Sequence, residues 1–132
     1  MLVGGGTEPT LRRLLLAYNG SPHAREALEW TKRLEQALPV EVVTVAVEED
    51  GDAVAQQWLA AAQAGLEQCG LGHCQRAIRR GQPAEEIVAA ARENDVDLIV
   101  MGGYRHKALV EWIVGSTVDR VLRGTPLPVL VV

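Results

Sequence analysis

Residues 11–47 read LRRLLLAYNGSPHAREALEWTKRLEQALPVEVVTVAV. Residues 12–18 form an apolar run too short for a helix and closed by the turn formers Asn19, Gly20, Ser21 and Pro22, which predicts a buried strand. Ser21 followed by Pro22 is a helix start, because serine accepts a backbone N–H at the cap and proline is harmless in the first turn. Ala24, Ala27, Leu28, Thr31, Leu34 and Leu38 then recur at helical spacing, so a helix is expected to about Ala37 with one apolar stripe lying on a sheet. Pro39 ends it, and the valine-rich residues 40–47 have the composition of a strand covered on both faces. A strand, a helical crossover and a second strand make a parallel pair.

The same grammar continues outward. After the acidic turn EEDGD, residues Val54, Trp58, Leu59, Ala62 and Leu66 keep the helical period of a second helix over about residues 53–69. Residues 75–80 alternate weakly and predict an outer strand. Gly81 and Pro83 lead into a third helix carrying Ile87, Val88 and Ala91. Residues 96–101 (VDLIVM) are a further buried strand, stopped at Gly102 and Gly103. A fourth helix over about residues 109–123 offers Leu109, Trp112, Ile113, Val118 and Leu122 for burial before Gly124. Pro126 and Pro128 then introduce a last strand, residues 129–132. Alternation of this kind implies an α/β domain: an open, mainly parallel five-stranded sheet with helices on both faces. It occupies residues 11–132, and residues 1–10, with Gly4, Gly5, Gly6 and Pro9 and no period, are expected to form a flexible tail.

Composition narrows the function. The 132 residues fit one domain, and 48% hydrophobic content comes without an apolar run near the ~20 residues of a membrane span. The start shows no secretory pattern, so a soluble, cytoplasmic protein is expected, with no membrane role. A net charge of −4 and a pI near 5.4 argue against nucleic acid as partner, and Arg76, Arg79 and Arg80 read as a solvated strand face. Cys69 and Cys74, with His73 between, lack a visible fourth zinc ligand and read as ordinary thiols. His23 reads as an exposed residue rather than a base. The phosphate loop, nucleophile elbow and paired-histidine metalloprotease motifs are all absent from the sequence.

Ligands of open parallel sheets gather outside the carboxyl ends of the strands, where the strand order reverses. The first strand delivers Tyr18, Asn19, Gly20 and Ser21 there, and the fourth delivers Met101, Gly102, Gly103, Tyr104 and Arg105. LLLAYNGSPHAREAL, RRGQPAEEIVAAA and MGGYRHKALVEWIVGSTVDRVLRGTPLPVLVV, in that order, resemble the universal stress protein family over about residues 11–132. The resemblance implies strand order 3-2-1-4-5 in a Rossmann-like fold of the adenine nucleotide alpha hydrolase kind. Nucleotide-binding members carry Gly-x2-Gly-x9-Gly and then Ser or Thr. Gly102, Gly115 and Ser116 match, with Thr117 following, but Arg105 stands where the second glycine belongs. Glycines there let the backbone approach phosphate oxygens, and helix-start N–H groups supply donors. Arginine removes that freedom yet offers a guanidinium fork for phosphate; a solvated basic loop with His106 and Lys107 is the plainer reading.

The front motif departs as well, because Asn19 replaces the aspartate usual in members that bind ATP. By resemblance, Tyr18, Asn19, Gly20 and Ser21 flank base and ribose, Val45 touches adenine, and Gly81 with Pro83 shapes the base pocket. Val45 also reads as core, and Gly81 with Pro83 as a helix start. ATP or AMP with Mg2+ is therefore one expectation, with at most a slow ATPase activity. The other is a dimeric stress-response module that has lost nucleotide and acts through an unknown protein partner. A receiver domain of two-component signalling has similar alternation but needs aspartates where Asn19 and Gly81 stand. The family commonly dimerises through its last strand, and the apolar stretch from Val129 to Val132 is expected to pair in a homodimer.

Overall fold

The computed structural model describes residues 2–3, 11–48, 54–68, 74–103 and 116–132. Its elements are β1 (Leu2–Val3), β2 (Arg13–Ala17), α1 (Pro22–Ala37), β3 (Glu41–Glu48), α2 (Ala55–Gln68), β4 (Cys74–Arg80), α3 (Pro83–Glu93), β5 (Leu98–Met101), α4 (Ser116–Gly124) and β6 (Val129–Val131). The sheet order is β1-β6-β5-β2-β3-β4. Every neighbouring pair from β6 to β4 is parallel, which is the expected 3-2-1-4-5 order of the five parallel strands.

The apolar runs form strands because both faces are covered. Leu15, Val43, Val45, Ile99, Met101 and Val129 pack with Ala84, Ile87, Ala90 and Ala91 of α3 and Val118 and Val121 of α4. On the other face Leu14, Leu16, Val42, Leu98 and Val100 pack with Ala24, Ala27 and Leu28 of α1 and Ala62 and Leu66 of α2. Leu14, Leu15 and Leu16 are fully buried, each contributing about 2 kcal/mol of burial by area.

Local signals set the helix starts. The Ser21 hydroxyl accepts the Ala24 N–H (3.1 Å) at the cap of α1, and the Gln82 side chain accepts the Glu85 N–H (2.8 Å) at the cap of α3, each just before a proline. At the end of α3, Asp95 takes the left-handed conformation (φ 51°) and the Val96 N–H reaches back to the Ala91 carbonyl, a helix stop made without glycine.

Two expectations are corrected. Leu38 does not belong to the buried stripe: α1 ends at Ala37, Leu38 is extended, and its side chain is 41% exposed. The first ten residues are not a tail throughout, since Leu2 and Val3 pair antiparallel with Leu130 and Val129 and add a sixth strand. The expected first part of the fourth helix, with Trp112, lies outside the described residues.

Candidate functional site

β2 and β5 lie side by side, from Leu14 opposite Leu98 to Ala17 opposite Met101. The chain leaves β2 through residues 18–21 into α1 on one face of the sheet. It leaves β5 through Gly102 and Gly103, and α4 lies on the other face. With α1 on one face and α4 on the other, the end of the sheet beyond Ala17 and Met101 is where the strand order reverses, the place at which open parallel sheets take ligands.

The front of this end is a tight loop. Tyr18 is buried and its N–H donates to the Val45 carbonyl (2.9 Å), extending the β2–β3 ladder. The exposed Asn19 side chain accepts the Ser21 N–H through Oδ1 (3.1 Å), an Asx turn. Gly20 has φ +74°, and a Cβ there would lie 2.7 Å from Trp58 Nε1, so only glycine fits. The acceptor atoms of Asn19 and Ser21 are thus both engaged by the loop's own backbone. The donors these two side chains add are Asn19 Nδ2 and the Ser21 O–H.

The rear is built by close packing. A Cβ on Gly102 would sit 2.6 Å from the His23 carbonyl carbon and 2.7 Å from the Ala24 nitrogen, so the turn after β5 presses on the first turn of α1. His23 is half-buried there rather than exposed. Gly103 donates to the Val132 carbonyl (3.1 Å), and a Cβ on it would meet Val131 Cγ1. Val45 and Met101 are both buried in the α3/α4 core. Ser116 opens α4 and Thr117 is half-buried beside it. Arg105 and Gly115 lie outside the described residues.

Gly81 sits at the same end of the sheet but beyond β4, two strands and about 10 Å from β2. Its φ is +139°, and its N–H donates to the Glu48 carbonyl (3.1 Å). A network of charges frames it. Arg79 donates from Nε to Glu86 (2.9 Å) and from both terminal nitrogens to Glu93 (3.0 and 3.1 Å). Those hydrogen bonds hold the Glu93 carboxyl below the usual range and raise the Arg79 guanidinium. The solvated-face reading of the arginines is therefore corrected at Arg79, which ties β4 to α3.

A model of the universal stress protein family matches residues 10–132. The chain belongs to that family. A universal stress protein of Synechocystis is 33% identical over 124 residues, covering 92% of this chain and 42% of the relative, so the chain spans less than half of that protein. One from Thermus aquaticus is 31% identical over 92% of this chain and 98% of its own length. Among solved structures, a universal stress protein in complex with cAMP superposes with a TM-score of 0.79 (20% identity, 92% of this chain and 96% of that one). A family protein from Arabidopsis thaliana with AMP bound gives 0.70 (17% identity, 92% and 90%).

As a universal stress protein domain the chain carries one polar group at this end that its sequence did not single out. Glu48 closes β3, is only 7% exposed, and accepts the Arg80 Nε (2.9 Å), whose own side chain is 83% exposed. The available signal was its position as the first acidic residue after the valine run. Among the described residues no group of three or more His, Cys, Asp or Glu could hold a metal ion.

Proposed function

We propose that this universal stress protein domain binds an adenine nucleotide, ATP or AMP, at the end of the sheet beyond Ala17 and Met101. The observation that carries the proposal is the reversal of strand order between β2 and β5, with α1 and α4 packed on opposite faces of the sheet. Donors on Asn19 and Ser21 serve base and ribose, and Ser116 and Thr117 of α4 offer hydroxyls for phosphate. The cAMP and AMP found with two proteins of the same fold support the choice of ligand class. Arg105 supplies a phosphate fork in place of the family's glycine. Asn19 offers no carboxylate, so Mg2+ would be carried by the phosphates rather than held by this loop.

A second reading has its own support. The acceptors of Asn19 and Ser21 are used locally, and Gly102 is required by packing against α1 whether or not a nucleotide binds. Under this reading the domain is a cytoplasmic homodimer, paired through residues 129–132, that acts on protein partners without nucleotide.

Isothermal titration calorimetry with ATP and with AMP, magnesium present, separates the two. Micromolar binding by the wild type that weakens about tenfold or more in Arg105→Gly supports nucleotide binding with Arg105 as ligand. Binding gained only in Arg105→Gly means an intact pocket closed by the arginine. No heat from either protein transfers the function to the dimer and its partners.

A further inference from the structure

We propose that β1 is a displaceable cover on the outer edge of β6, and that its competitor is β6 of a second copy of this chain. The inference rests on the dimer reading above and adds what controls it.

The two edges of β6 are held unequally. On the inner edge Val129, Leu130 and Val131 pair with Ile99, Val100 and Met101. Flanking bonds continue that ladder, from the Ile99 N–H to the Pro128 carbonyl (3.1 Å), from the Val132 N–H to Met101 (3.0 Å) and from the Gly103 N–H to Val132 (3.1 Å). Among the described residues the outer edge meets only Leu2 and Val3, in register with Leu130 and Val129. A two-residue strand is marginal as a pairing unit. It is followed in the sequence by Gly4, Gly5 and Gly6, the residue type that loses most conformational freedom on ordering.

An apolar edge strand left open invites pairing, and native proteins cover such edges. Here the cover is short, apolar and tethered, so it acts at once within a chain but yields to a longer partner as concentration rises. Its direction matters too. β1 lies antiparallel to β6, the orientation that a two-fold related β6 must adopt at the same edge. A second copy offers three paired residues, Val129–Val131, against the two of β1.

The test uses the full chain in two forms. Val3→Pro removes a backbone donor and disfavours strand pairing without touching the sheet core; sedimentation velocity across a concentration series should show its dimer dissociation constant about tenfold below that of the wild type. Leu2→Cys with Leu130→Cys, in a Cys69→Ser, Cys74→Ser background, should form a disulfide under mild oxidation at monomer mass in dilute solution. Unchanged or weaker dimerisation in Val3→Pro overturns the competition while leaving the dimer reading intact. Disulfides found only between chains, or none, overturn the cover. A monomer in both wild type and Val3→Pro, with the intrachain disulfide formed, sinks the dimer reading and leaves β1 an ordinary edge strand.

Discussion

At the carboxyl end of the sheet the turns are held by glycines pressed against backbone and aromatic ring, whereas at the amino end the same strands are tied by charged side chains. Gly102 abuts His23 and Ala24, and Gly20 abuts Trp58. At the opposite end the Asp97 carboxylate accepts the N–H groups of both Arg12 and Arg13 (2.9 and 3.0 Å). Arg13 in turn donates to the Asn94 carbonyl (2.6 Å) and to Glu41 (3.0 Å). Carboxylates and guanidinium groups close the end with no proposed ligand. At the other end, glycine and self-satisfied polar side chains build the part beyond β2 and β5, while the charged pairs of Arg79 and Arg80 stand at the β4 edge.

The contrast breaks most sharply at Gly102. In Gly102→Ala the new methyl meets backbone atoms of α1, which cannot swing away as a side chain could. A loss of about 3 kcal/mol is expected, the upper part of the usual range for overpacking, and urea unfolding without nucleotide measures it. Near-wild-type stability combined with lost nucleotide binding would reverse the assignment and make Gly102 a ligand-approach glycine. The amino end should respond by a different mechanism. Asp97→Ala strips the acceptor from two backbone N–H groups, one of them part-buried, for an expected cost of about 2 kcal/mol. The same urea titration reads it, and nucleotide affinity at the far end of the sheet should be unaltered. A loss of affinity in Asp97→Ala would show that the two ends are coupled through β2 and β5.

The parts of this architecture open to sequence reading are those encoded by neighbouring residues. The run from Leu14 to Leu16 marks β2, Ser21 with Pro22 and Gly81 with Pro83 mark the starts of α1 and α3, and the valines mark β3. The candidate loop at Tyr18, Asn19, Gly20 and Ser21 was legible for the same reason, as a turn between two periodic segments. Tertiary relations were not. Gly102 looks alike whether it serves a phosphate or a helix, because the atoms it must avoid are nearly 80 residues away in sequence. β1 has two residues beside three glycines and so no period to detect; its only signal is complementarity with a strand at the other end of the chain. Arg79 and Arg80 form a charge run in the sequence, and only the fold brings Glu86, Glu93 and Glu48 to them.

Glu35 gives the smallest effect and tests whether the amino end is uniformly well paired. It lies near the end of α1, and burial alone pushes its carboxyl from the ordinary 4.5 to about 7, with Oε2 buried and unpartnered. Because the folded state holds the proton more tightly than the unfolded chain, this group favours folding most below pH 4.5. That contribution is lost as pH rises towards 7 and stays lost above it. The side chain is part-exposed, so solvent screening reduces the effect to roughly 1 kcal/mol. Glu35→Gln cannot ionise. The difference in stability between variant and wild type should therefore be flat below pH 4.5, grow in the variant's favour between pH 4.5 and 7, and level off at higher pH. Paired urea titrations across that range cancel the other carboxylates. A flat difference curve would mean that Glu35 finds a partner or water at the amino end, and would extend the tying of that end by charge to the last turns of α1.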